Sequence, residues 1–308
     1  MIGRLWPFII GGVALGLDAY MIAGLLPAIA ENLAATEGVI GLGVTAFTGA
    51  YAVAGPLLAG AAGRRSKRGL AIALSMFTLG NLVTAGAPNI AIFLIARVIA
   101  GAAAGVYSPL SSAVAAASVS EERRGRALGL VLAGLAMGTV FGVPLGLLLG
   151  GLTSWRVSIL LITIVGALAL IGIFSSWGRE LPGVDAPSLV ARLRSIGSGP
   201  NLMTVTVTLF TGIASLGLYT YIASLLGDTG LASHPTAGIW AWGVGGAVGV
   251  MLIGRLVDRV GDSLRVTAVI LALLTIVLVV LGTGPAVWLL AAALFAWGAL
   301  GWSSLAPQ

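Results

Sequence analysis

The sequence has no cysteine, a single histidine and few charges. Without cysteine there is no disulfide scaffold, no thiolate metal site and no cysteine nucleophile, although this says nothing of redox compartment. One histidine also excludes the two-histidine zinc motif H-E-x-x-H. Only 8% of the 308 residues are Asp, Glu, Lys or Arg, against about 25% in a soluble domain. A water-soluble fold of this size would expose a mostly apolar surface, so that class is excluded. No loop is long enough to hold the separate soluble domain that a membrane sensor or scaffold would need.

What remains is apolar. Hydrophobic residues make up 58% of the chain and the mean hydropathy is +1.09. The 46 glycines fall mostly inside apolar runs. In lipid their helix penalty is offset, because small residues let helices approach closely. Stretches of about 20 apolar residues predict ten spans: Trp6–Ala30, Val39–Ala62, Leu70–Gly86, Ile90–Ser118, Arg126–Gly150, Trp155–Trp177, Leu202–Leu226, Thr236–Val257, Leu264–Gly282 and Pro285–Leu305. The fold class is therefore an all-α integral membrane protein. The first span is too long for a cleavable signal peptide and is followed by others.

The net charge of +6 could mark a nucleic-acid binder, but the basic residues sit in short loops between the spans. With the N-terminus inside, Arg4, Arg64, Arg65, Lys67, Arg68, Arg123, Arg124, Arg126, Arg179, Arg192, Arg194, Arg255, Arg259 and Arg265 are cytoplasmic, which is 14 of the 16. Arg156 alone lies outside, and Arg97 lies within a span. This asymmetry is the positive-inside signal, and no nucleic-acid partner is implied. The chain is expected to cross a membrane many times.

The longest polar stretch, 178–200, reads as a cytoplasmic linker between a six-helix bundle (1–177) and a second bundle (201–308). Gly254-Arg-Leu-Val-Asp258-Arg259-Val-Gly261 closes span eight, 199 residues after Gly55-Pro-Leu-Leu-Ala59 at the same end of span two. Such an offset is the mark of an internally repeated transporter. The same offset places the end of the second half near residue 376, so the sequence leads to an expectation that two helices of twelve are missing.

These residues resemble the major facilitator superfamily, and within it the bacterial drug:proton antiporters and arabinose-efflux-like permeases of twelve-helix type. The resemblance is carried by Gly16-Leu-Asp18-Ala-Tyr20 and Leu26-Pro27 in span one, and by Arg97-Val-Ile-Ala-Gly101 in span four. In span five, Gly138-Thr-Val-Phe-Gly142-Val-Pro144-Leu-Gly146 is similar to the antiporter motif. Trp155-Arg156 and Tyr219-Thr-Tyr221 add to it. The loop motifs at Gly55, Arg64, Arg65 and Arg68, and at Gly254, Asp258, Arg259 and Gly261, resemble the cytoplasmic latch of the family. The first half has Ala59 and Gly60 where an Asp and an Arg are common. The resemblance implies two pseudo-symmetric bundles, no cofactor and a monomer.

Asp18 is the only acidic residue deep in a span, about 18 Å from either end at 1.5 Å per residue. A carboxylate at that depth is either paired or protonated, and a group with both forms open to it suits proton coupling. The bland reading is a vestibule residue. Arg97, about 10 Å below the outer edge, either shares in proton transfer or only braces the bundle, and it reaches Asp18 directly or through water. Gly134, Gly138, Gly142, Gly146 and Gly150 recur every fourth residue, making one bare helix face. That face packs on a neighbour, slides between halves, or does both, packing with a consequence for gating being the favoured reading, and the symmetry argument turns it toward the cavity. Asn81, Tyr107, Tyr219, Tyr221, Trp240 and Trp242 are candidate cavity residues, the tryptophans equally interface anchors. His234 is expected to be inert.

An intramembrane enzyme would need a second ionisable group beside the first, and none is in sight, so the chain reads as no enzyme. A channel would need a repeated polar lining. Sparse polar groups among aromatic walls suit hydrophobic or amphiphilic solutes. The expectation is proton-coupled efflux of such solutes by alternating access, its partners being the bilayer, protons and a small-molecule substrate. A sugar or metabolite efflux permease and a non-transporting fragment are the alternatives.

Overall fold

The computed structural model describes residues 2–175, 181–184, 199–227, 229, 231, 235–284 and 286–304. They contain helices and turns and, among the described residues, no strand. The chain divides into two compact units, Met1–Leu193 and Arg194–Gln308. The first contains α1 (Ile2–Asn32), α2 (Glu37–Gly63), α3 (Ser66–Gly86), α4 (Ile90–Ala117), α5 (Arg124–Leu152) and α6 (Trp155–Ser175). The second contains α7 (Gly199–Thr220), α8 (Ile222–Gly227), α9 (Pro235–Val260), α10 (Ser263–Gly282) and α11 (Val287–Ser303).

Without water, every backbone N–H and C=O must be satisfied within the segment, and a helix does so. Helix starts agree with local chemistry: Asn89 Oδ1 accepts from Ile92 N at 3.0 Å to cap α4, and Asp262 Oδ1 accepts from Arg265 N at 3.0 Å to cap α10. Among the described residues nine helices are long and apolar enough to cross a membrane. The expected tenth, α11, has 17 residues, about 26 Å of helix against a hydrocarbon core of about 30 Å. The expected continuous span Leu202–Leu226 is divided at Tyr221, where the chain makes a turn: Tyr221 N donates to Leu218 O at 3.1 Å. Much of the outer surface is apolar, as at Leu152 (73% exposed) and Met251 (77% exposed). Such a surface is at home in lipid and nowhere else.

Glycines set the packing of the first unit. Along α5 the stripe Gly134, Gly138, Gly142, Gly146 and Gly150 meets Ile9, Val13, Leu17, Met21 and Leu25 of α1 in turn, and Gly12 and Gly16 of α1 meet the α5 backbone. A Cβ on Gly138 would run into the carbonyl oxygen of Val13. The stripe is thus the seat of α1, so it packs within one unit and is covered by α1 instead of facing a cavity. Gly101 and Gly105 of α4 likewise admit the backbone of Phe47 and Tyr51 on α2. In the second unit Gly245 and Gly249 of α9 admit the backbone of α11 at Phe295 and Ala299. Each unit therefore pairs its second and fourth long helices through glycine.

The expected linker 178–200 lies largely outside the described residues. Its described part, 181–184, lies along the end of α2, where Val184 N donates to Gly63 O at 3.0 Å. His234 and residues 305–308 lie outside the described residues as well.

Candidate functional site

Four helices of the first unit converge on one buried carboxylate. The close α1–α5 seat presents the Asp18 face of α1 toward α3 and α4, where Asp18 is fully buried. Arg97 Nη1 of α4 donates to Asp18 Oδ1 at 2.6 Å, and Asn81 Nδ2 of α3 donates to Asp18 Oδ2 at 3.0 Å. Arg97 is itself 1% exposed, and its guanidinium lies 4.3 Å from the ring centroid of Phe47 on α2. The stem of Arg97 closes the difference in depth that the two spans impose, so the direct ion pair holds and the water-bridged alternative does not. A vestibule placement for Asp18 is also ruled out by its burial.

The pair is not fully saturated. Asn81 Nδ2 is shared with the carbonyl of Phe77 at 3.1 Å, while Asn81 Oδ1 and Arg97 Nε have no hydrogen-bond partner. Buried orphan polar atoms of this kind are costly. Here they sit on the two residues that hold the carboxylate. The attraction between the two side chains requires that both carry their charge.

The other expected site residues separate into different roles. Asn81 is a fully buried partner of Asp18. Tyr107 Oη donates to Pro7 O of α1 at 3.3 Å, and the cavity it borders has a volume of about 20 Å³, room for one water and no substrate. Tyr219 and Trp242 are buried with ring centroids 4.2 Å apart, and Trp297 stands 6.0 Å from Trp242. Trp297 Nε1 donates to Ser215 Oγ at 2.8 Å. These rings fill the middle of the second unit against one another. Tyr221 is exposed at the α7–α8 turn, and Trp240 is half-buried. Trp297 and Ser215 went unnoticed in the sequence; a tryptophan at one turn from Gly301 in an apolar run was the available signal.

Gly138, Gly142 and Gly146 belong to the α1–α5 seat, Pro144 is buried within α5, and Ser158 Oγ donates to the carbonyl of Gly146 at 2.8 Å. Gly55 faces the Gly105 carbonyl of α4. Arg64, Arg65 and Arg68 are exposed beside a groove of about 550 Å³. Gly261 follows α9 with φ +66° and its N–H donates to Val257 O at 2.9 Å, a helix stop that favours glycine. Gly254 lies within α9, the side chains of Arg255 and Asp258 are outside what the structure describes, and Arg259 is exposed. Arg156 joins three helix ends: its Nη1 donates to Ala85 O at 2.6 Å and its Nη2 to Asn32 Oδ1 at 3.1 Å. Among the described residues no three His, Asp or Glu side chains cluster as a metal site would.

The profile of the Major Facilitator Superfamily matches residues 8–308. The chain is 27% identical over 300 residues to the uncharacterized MFS-type transporter YwfA of Bacillus subtilis (strain 168), covering 94% of this chain and 72% of that protein. It is 29% identical over 252 residues to the chloramphenicol resistance protein of Streptomyces lividans, covering 80% of this chain and 64% of that one, so it spans less than two thirds of that relative's length. In three dimensions it is similar to a bacterial homolog of the human lysosomal transporter Spinster, in an inward-facing and unoccupied conformation. The TM-score is 0.74 at 16% identity, over 99% of this chain and 73% of that one.

Proposed function

The chain belongs to the Major Facilitator Superfamily, and we propose that it is a proton-coupled secondary transporter exporting small hydrophobic or amphiphilic solutes across a bacterial inner membrane, with its N-terminus in the cytoplasm. The observation that carries the proposal is the Asp18–Arg97 pair, sealed inside the first unit with Asn81 as second donor. In the exchange cycle Asp18 takes up a proton, the hold on Arg97 is released, and helices α1 and α4 are free to shift relative to one another. Loss of the proton restores the pair. Binding energy for the solute and for the proton thus draws on one shared element, which is what coupling requires. Transport then proceeds by alternating access, as in internally repeated transporters. The resistance protein among the relatives supports a drug-like solute, and the small number of polar groups in the spans supports it too.

The test uses the full chain in proteoliposomes with an imposed pH gradient and a panel of hydrophobic cations, neutral antibiotics and sugars. Solute accumulation driven by the gradient is expected for the first two classes and is abolished by a protonophore. Asp18→Asn combined with Arg97→Gln removes both charges, preserves the packing and is expected to abolish pH-driven transport. Undiminished pH-driven transport in that variant would falsify the role of Asp18.

A further inference from the structure

We propose that the groove between α2 and α3 is a binding site for an anionic phospholipid of the membrane leaflet that the loop Arg64–Arg68 faces. The groove is floored by α4 at Ala103 and walled by Leu58 of α2 and by Ile72 and Met76 of α3, with a volume of about 550 Å³. Leu58, Ile72 and Met76 are 53%, 50% and 44% exposed. They form an open apolar trough that runs with the helices and so along the membrane normal. At one end it is bordered by Arg64, Arg65 and Arg68, and among the described residues no acidic one lines it. Among the described residues the ion pairs are Asp18 with Arg97, Glu121 with Arg124 and Asp262 with Arg265. None of them involves these three arginines.

The charge and the trough select one ligand chemistry. A guanidinium offers paired donors matched to phosphate oxygens, and three within five residues suit a phosphate with no compensating charge. The apolar trough has nothing to offer a free phosphate but fits an acyl chain attached to one. A zwitterionic headgroup would bring an ammonium against three guanidiniums. Basic pockets between membrane helices on the cytoplasmic side are where anionic headgroups gather.

Native mass spectrometry of the full chain, purified in mild detergent and offered equal phosphatidylglycerol and phosphatidylcholine, tests the site. One tightly retained phosphatidylglycerol is expected, with inorganic phosphate at millimolar concentration failing to displace it. The triple variant Arg64→Gln, Arg65→Gln, Arg68→Gln is expected to weaken retention by at least about tenfold, since each basic residue near a membrane surface adds roughly a fivefold preference. Ala61→Trp keeps all three arginines and fills the trough from an exposed lining position, and it too is expected to release the lipid. The control Arg123→Gln, Arg124→Gln, Arg126→Gln removes as much cytoplasmic charge elsewhere and is expected to retain it. Equal retention of both lipids, survival of retention in the first triple variant, or equal loss in the control would each overturn the site. Displacement by inorganic phosphate alone would do so as well.

Discussion

Truncating Arg97 to Ala leaves the Asp18 carboxylate buried with one amide donor. Uncompensated buried charge costs about 3–5 kcal/mol, so the unfolding midpoint of the purified protein in detergent should fall steeply. Asp18→Asn combined with Arg97→Gln should recover most of that loss, and a double-mutant cycle in the same detergent measures the coupling. Full additivity of the two single changes would show that the pair contributes nothing. Asn81→Leu removes the second donor and should cost about 1–3 kcal/mol. The two lone intramembrane charges were legible in the sequence, because lipid makes such residues rare and therefore conspicuous. Their companions were less so. Asn81 sits 63 residues from Asp18 and has the look of a cavity residue, since composition records that an amide is buried but not which group it faces. Phe47 is one apolar residue among many until the guanidinium above it is seen.

Between helices, the contact surface decides tolerance to change. Gly138→Leu and Gly142→Leu should each destabilise the first unit by 1–3 kcal/mol or more, because the added volume meets backbone in a packed seam. Gly129→Ala, on the same helix, meets nothing within 4 Å and should leave the unfolding midpoint unchanged or slightly raised. An equal effect at all three positions would mean that the seam does not select for glycine. In the second unit Trp297→Ala should cost about 3–5 kcal/mol, the usual loss for a buried aromatic, and should strand Ser215 Oγ. The period-four stripe of α5 was legible in the sequence as a face without side chains; its partner was not. A bare face states how near a neighbour comes and leaves the neighbour's identity to the fold. The turn at Tyr221 was not legible either, because the residues around it include no proline and the nearest preceding glycine, Gly217, stands four positions earlier.

Across the whole chain, the absence of cysteine makes membrane sidedness directly measurable. With the proposed cytoplasmic N-terminus, Thr153→Cys should react with a membrane-impermeant maleimide added to intact cells, and Ser120→Cys should react only after the membrane is opened. The reverse pattern would invert the orientation drawn from the arginines. Membrane class was legible at this scale because hydropathy is a summed quantity that survives local error. The length of α11 was not, since a helix end depends on a few backbone hydrogen bonds. The ion pair also has a consequence for biogenesis. Asp18 and Arg97 are 79 residues apart in the chain, and ribosomes add about 5–20 residues each second. The first helix therefore reaches the insertion machinery several seconds before its cation exists. During that interval Asp18 either carries a proton or holds α1 at the aqueous edge of the translocon, and final seating waits for α4. A force profile from translation-arrest fusions should accordingly show a second pulling event, once α4 has left the ribosome, that vanishes when Asp18 is replaced by leucine.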